Sequence, residues 1–132
     1  MRSDCPISYA LDFFGDKWSL LVIRDIVFDQ KRFFKDFKNS KEKIATNILS
    51  DRLKKLEANG VIQSEVYPQN KSQKIYTLTE KGKALIPVLL EMMVWSFEHN
   101  NELNVAPTFV EKIKNNRAAA LDYVMGQLDP KA

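Results

Sequence analysis

Five polar side chains at helical spacing carry the first chemical signal in this chain. Within residues 44–60, Thr46, Asn47, Ser50, Asp51 and Lys54 share one face, and Ile44, Ile48, Leu49, Leu53 and Leu56 share the opposite one. Short donors and acceptors at the exposed N-terminal end of a helix reach base edges in a major groove, or phosphate oxygens. A solvated helix face is the blander reading of the same pattern. Asp51 cannot approach a phosphate unpaired, so it either accepts from a cytosine amino group or orients Lys54 or Arg52. Arg52 lies beside the apolar stripe. Its guanidinium either runs along the helix edge to a phosphate or pairs with an acid inside the domain. Lys71 and Lys74 fall near the tip of an expected β-ribbon, and Lys31 and Arg32 lie where the scaffold would cross the backbone; all four are candidate phosphate contacts.

The second signal is a thiol. Cys5, the one cysteine, precedes Pro6 at the start of the first expected helix, where the helix dipole favours a thiolate. Arg2 favours the same state and Asp4 opposes it. The alternative is a buried, inert thiol. His99, the one histidine, has no second histidine or cysteine at ligand spacing, which disfavours a zinc site. No Ser-His-Asp set, glycine-rich phosphate loop or paired carboxylates emerge, so an enzyme is the weak hypothesis and no cofactor is expected.

These residues need elements to hold them. Residues 7–14 suit a first helix, with Asp4 available as a cap and Pro6 near its start. Gly15-Asp16 breaks it, and Asp16 caps a second helix from 17 to about 28 with Trp18, Leu21, Val22 and Ile26 as its apolar stripe. A third helix, 32–37, offers Phe33, Phe34 and Phe37 for packing, and 39–43 form the turn before the reading helix. That helix, 45–59, is stopped by Asn59-Gly60. Strands at 61–67 and 74–78 then form a ribbon turning around 68–72. Thr79 caps a long helix through 100 that Pro87 bends. Its face Leu85, Val88, Leu89, Met92, Met93, Trp95 and Ser96 is broader than one small domain needs to cover, as at an interface. A last helix runs from 107 to about 128. Trp18 and Trp95 are core or interface residues on any reading. The expected fold is mainly α with a small β-wing, a winged helix-turn-helix domain followed by C-terminal dimerisation helices.

Composition agrees with one soluble domain over residues 1–132: the chain is 45% hydrophobic and 28% charged. No apolar run approaches membrane-spanning length, Met1-Arg2-Ser3-Asp4 lacks the apolar core of a signal peptide, and a lone cysteine suits a reducing cytoplasm. The net charge is only +3, but it is unevenly spread. Residues 31–55 carry nine Lys or Arg against three acids, whereas residues 1–30 and 84–132 are each net negative. The positive charge therefore coincides with the expected reading head.

The order Cys5-Pro6, Gly15-Asp16-Lys17-Trp18, Arg32-Phe33, Ile44, Leu49, Arg52-Leu53, Leu56, Gly60-Val61-Ile62, Tyr67, Tyr76-Thr77-Leu78-Thr79, Gly82, Leu85 and Trp95 resembles the HxlR family of MarR-related regulators. The resemblance covers about residues 5–100; the last helix lies outside it. It implies a homodimer on a pseudo-palindromic operator in double-stranded DNA. The first and long C-terminal helices would form the interface, and the reading helix would lie in the major groove. It also implies that Cys5 senses oxidants or electrophiles, through a disulfide across the dimer or an adduct, so that a repressor is relieved by a redox or small-molecule effector. Many members carry Ser before the reading helix where this chain has Ala45, so Thr46 or a backbone shift has to replace that cap. The competing function is a winged-helix protein-interaction module. Basic residues at the wing tip favour DNA over it.

Overall fold

The computed structural model describes residues 4–128. They form eight helices and one two-stranded sheet: α1 (Pro6–Phe14), α2 (Lys17–Asp29), α3 (Phe34–Lys38), α4 (Thr46–Ala58), β1 (Ile62–Val66), β2 (Lys74–Leu78), α5 (Glu80–Lys83), α6 (Ile86–His99), α7 (Pro107–Asn115) and α8 (Arg117–Leu128). This is the mainly helical architecture with a small β-wing expected from the sequence. The chain parts into two compact units between Gly82 and Lys83.

In the first unit, α2, α3 and α4 enclose a core in which Ile23, Ile26, Phe37, Leu49 and Leu56 are almost wholly buried. Asp16 caps α2 as expected, accepting from the backbone N–H of Trp18 and of Ser19 at 3.0 Å each. The stripe that α2 buries is Ser19, Val22, Ile23, Ile26 and Val27, with Asp25 beside it. Trp18 and Leu21 are only half-buried. The buried stripe is thus rotated from the expected one, with Val22 and Ile26 common to both, and the Ser19 hydroxyl within it is satisfied by a 2.6 Å bond to Asp16.

The helix α4 ends on a residue that only glycine suits. Gly60 has φ +74, the Val61 N–H donates to the Leu56 carbonyl at 2.9 Å and the Gly60 N–H to that of Glu57 at 3.0 Å. These are the two bonds of a Schellman ending, and Leu56 and Val61 bury together beneath it. The chain then enters the antiparallel ribbon in the register Ile62↔Leu78, Ser64↔Tyr76, Val66↔Lys74. The Tyr76 N–H adds a 2.8 Å bond to the Arg32 carbonyl, so the segment before α3 supports the wing from its other edge.

Two helices expected to be continuous are not. The helix opening at Thr79 is broken at residues 84–85 into α5 and α6 instead of being merely bent. Pro87 has no N–H to return to the Lys83 carbonyl and its ring crowds that oxygen. The final helix is divided at Asn116, whose backbone is extended (φ −155, ψ 82) and whose side chain caps α8 through the Ala119 N–H at 3.1 Å. In the second unit α6, α7 and α8 pack around Leu90, Val94, Val110, Ile113, Ala120 and Val124. Ion pairs Glu98–Lys114 (3.0 Å) and Glu91–Arg117 join α6 to the helical hairpin.

Candidate nucleic-acid interface

The face of α4 opposite Leu49, Leu53 and Leu56 is built as the periodicity requires. Thr46, Asn47 and Lys54 are exposed, and Ser50 and Asp51 are half-exposed. Ala45 occupies the N-cap position with extended backbone (φ −66, ψ 145) and no side-chain cap bond. Thr46 does not replace that cap: its hydroxyl accepts from Lys38 Nζ at 2.6 Å, which ties the end of α3 to the first turn of α4. Lys38 was not singled out by the sequence reading, because helical spacing cannot place residues of different helices.

Of the two uses open to Arg52, the structure shows the internal pair. Its Nε donates to Asp16 Oδ2 at 2.8 Å and its Nη1 to Asp51 Oδ2. Asp51 in turn meets Lys55 Nζ at 3.3 Å. It therefore pairs with Arg52, one of the two partners the sequence offered, and with Lys55 in place of Lys54; the i, i+4 spacing of Asp51 and Lys55 was the available signal. Arg32 is also committed inside the domain, with Nη1 donating to the carbonyls of Lys31 (2.9 Å) and Ile26 (3.3 Å). Lys31 lies 3.6 Å from the buried Asp25.

A second group of charges fixes the turn that leads into α4. Arg24 grips Glu42 with both terminal nitrogens at 2.8 and 2.9 Å, and Asp25 with Nε and Nη2 at 2.9 and 2.6 Å. Hydrogen bonding from Arg24 draws the Glu42 carboxyl down to about 2. Burial pushes Asp25 up against the pull of Arg24 and Lys31. A carboxylate lowered on folding stabilises the protein above its unfolded value, 4.5 for Glu42, and that contribution is lost as pH falls towards 2. Glu42→Gln should cost about 1–2 kcal/mol at pH 7, given a two-pronged but partly exposed pair. The deficit against the parent should shrink steadily below pH 4.5. Urea unfolding at pH 7 and pH 3 reads both values, and an undiminished deficit at pH 3 would show that the pair is not the cause.

At the wing tip Tyr67 N–H donates to the Gln73 carbonyl at 2.9 Å, and Asn70 Oδ1 accepts from the Ser72 N–H at 3.1 Å and hydroxyl at 2.7 Å. This folded turn leaves Lys71 and Lys74 exposed, while Phe33 packs edge-on against Tyr67 at its base, 5.0 Å between centroids. Cys5 is exposed and is the N-cap residue of α1, where its carbonyl accepts from the Tyr9 N–H at 2.9 Å; the buried-thiol alternative does not hold. Arg2 lies outside the described residues. His99 Nδ1 lies 2.8 Å from the Trp95 carbonyl, and its ring stacks on that indole. Among the described residues no group of three His, Cys, Asp or Glu is arranged to hold a metal ion, and no helix is long and apolar enough to cross a membrane.

A helix-turn-helix with a polar outward face, followed by a two-stranded ribbon tipped with lysines, defines a winged-helix DNA-binding protein. Comparison with known proteins narrows that class. The chain belongs to the HxlR-like helix-turn-helix family, whose model matches residues 13–104, and it is a transcriptional regulator of that family. It is 36% identical over 98 residues to the HTH-type transcriptional regulator BH0655 of Halalkalibacterium halodurans, covering 74% of this chain and 87% of that one. To the HTH-type transcriptional regulator YodB of Bacillus subtilis it is 37% identical over 93 residues, covering 70% of this chain and 82% of that one. The quinone-bound structure of YodB superposes with a TM-score of 0.58 over 71% of this chain and 98% of that one, at 36% identity. The redox regulator HypR in its oxidised form superposes with a TM-score of 0.62 at 35% identity, over 73% of this chain and 97% of that one.

Proposed function

We propose that this regulator is a cytoplasmic homodimeric repressor, released from a pseudo-palindromic operator when an oxidant or electrophile modifies Cys5. The observation that carries the DNA-binding part is the outward ridge of α4, with Asn47 at its exposed N-terminal end. Thr46, Asn47, Ser50, Asp51 and Lys54 meet base edges or nearby phosphates, and Lys71 and Lys74 meet backbone in the neighbouring groove. Arg52 and Arg32 serve as scaffold, since their guanidinium groups are bonded within the domain. Exposed lysines at the wing tip favour DNA over a protein partner.

Two exposed apolar stretches support the dimer. On α1, Ile7, Tyr9 and Leu11 are exposed, and on α6 Val88, Met92 and Trp95 form a stripe at i, i+4, i+7 that ends at His99. The sensing part rests on the exposure of Cys5 at the start of α1, together with similarity to proteins described as a redox regulator and as quinone-bound. A disulfide between two such thiols, or an adduct on one, pushes on α1 and so alters the spacing of two reading helices.

Selection of bound sequences from random DNA tests this reading, run with the full chain and with Cys5→Ser, each with and without diamide. Inverted half-sites about 34 Å apart, or a multiple of that, are expected from the parent. Binding should be lost with diamide in the parent alone. Asn47→Ala should lower discrimination between operator and random DNA by roughly 1–3 kcal/mol. Lys71→Ala and Lys74→Ala should weaken all sequences alike and reduce the salt slope by about 1 each. The absence of any enriched sequence overturns the repressor, and equal response of parent and Cys5→Ser to diamide overturns the switch.

A further inference from the structure

We propose that Asp51 is a specificity-determining residue of the reading helix, an acceptor for the exocyclic amino group of one base, and that Arg52 and Lys55 position it. This rests on the DNA-binding reading above and deepens it.

The first observation is place. Asn47, Asp51 and Lys54 follow one another at i, i+4 and i+7 along the line of α4 most distant from the buried Leu49, Leu53 and Leu56. The Asp51 side chain is 46% exposed on that ridge. A bare carboxylate there would meet the phosphates' field and be repelled. Arg52 and Lys55 both meet this one, and with Lys54 one turn further along they outnumber Asp51 and Asp16, so the acid is carried towards DNA as an acceptor.

The second observation is how it is held. Arg52 Nη1 and Lys55 Nζ both meet Oδ2 of Asp51, so Oδ1 accepts from neither. Arg52 is itself fixed by its 2.8 Å bond to Asp16, and Asp16 is anchored to the Trp18 and Ser19 N–H groups of α2 at 3.0 Å. A chain of charge-assisted hydrogen bonds therefore runs from the backbone of α2 to the outward ridge of α4. It removes rotamer freedom from Asp51 before any ligand arrives.

The chemistry of an ionised carboxylate then selects among bases. It offers only acceptors, so it is repelled by O6 and N7 of guanine and by O4 of thymine. Cytosine N4 and adenine N6 both present an amino donor in the major groove. Adenine adds an N7 acceptor beside it, which favours cytosine. The identity of the selected base separates the two.

The test uses the full chain in the same random-sequence selection, with Asp51→Ala, Asp51→Asn and Arg52→Gln alongside the parent, each first checked for an intact melting transition. The parent should require cytosine, or adenine, at one base pair in each half-site. Asp51→Ala should reduce that one preference by roughly 5- to 100-fold, leave the other positions unchanged and bind random DNA more tightly. Asp51→Asn, which can donate, should admit guanine or thymine there. Arg52→Gln should relax the same position, whereas a merely structural arginine would weaken every position equally and so overturn the positioning part. An unchanged preference in Asp51→Ala, with the operator otherwise intact, overturns the inference and leaves DNA binding standing. A parent that enriches no sequence overturns the DNA-binding reading itself.

Discussion

Gly82→Ala should lose about 3 kcal/mol of stability and melt roughly 10 °C below the parent. A Cβ at this buried position would lie 2.1 Å from the Val61 carbonyl oxygen and 3.0 Å from Leu78 Cδ2. The first of these atoms is backbone, and it cannot swing aside. Val61 O already accepts from the Thr79 N–H at 3.1 Å, and the Thr79 hydroxyl accepts from the Gly82 N–H at 3.1 Å. The close approach of α5 to the root of β1 is thus held by hydrogen bonds on both sides. Relief requires α5 to withdraw, and that loosens the point where α4 hands the chain to the wing. Thermal unfolding followed by circular dichroism measures the loss, and a midpoint within about 2 °C of the parent would mean that the helix yields freely.

Asp16→Ala is the second large effect, a loss of about 2–3 kcal/mol at pH 7. One carboxylate accepts four hydrogen bonds here: from the N–H groups of Trp18 and Ser19, from the Ser19 hydroxyl and from Arg52 Nε. Its removal uncaps α2 and leaves a half-buried guanidinium with Asp51 alone. The dependence on pH has a definite sign. Burial pushes the Asp16 carboxyl up, but bonds from Ser19 and Arg52 outweigh it and hold the group below its ordinary 3.8. Its contribution is therefore fully present above pH 3.8 and lost as pH falls through the lower folded value. Asp16→Asn, which keeps an acceptor for the cap but not the charge, should fall between the parent and Asp16→Ala. Denaturant unfolding at pH 7 orders the three proteins, and an alanine variant no weaker than the asparagine variant would show that the cap contributes little.

The parts of this protein legible in its sequence are those set by short-range rules. The apolar period of α4, its stop at Gly60 and the wing turn at Pro68 depend on residues within four or five positions of one another. Helical spacing and the left-handed backbone at Gly60 leave few alternatives there. The outward ridge follows from the same period, since whatever faces away from Leu49, Leu53 and Leu56 must meet solvent or a partner. Cys5-Pro6 likewise marked the start of α1, although the N-cap position falls on Cys5, without a side-chain cap bond, and not on the Asp4 that the sequence offered as a cap. Tertiary contacts decided what those rules leave open. Arg52 stood equally close to a phosphate route and an internal acid, and only the packing of α4 on α2 brings Asp16, thirty-six residues away, to 2.8 Å. The stripe on α2 turned because the core of the first unit closes over Ile23 and Val27, and the Ser19 hydroxyl buried with them is satisfied by its neighbour Asp16. Gly82 carries no local signal beyond its small size, and its necessity arises from the carbonyl of Val61, just ahead of β1 and twenty-one positions earlier in the chain. Local geometry thus specifies which faces exist, and the long-range partners decide how each charged side chain on them is used.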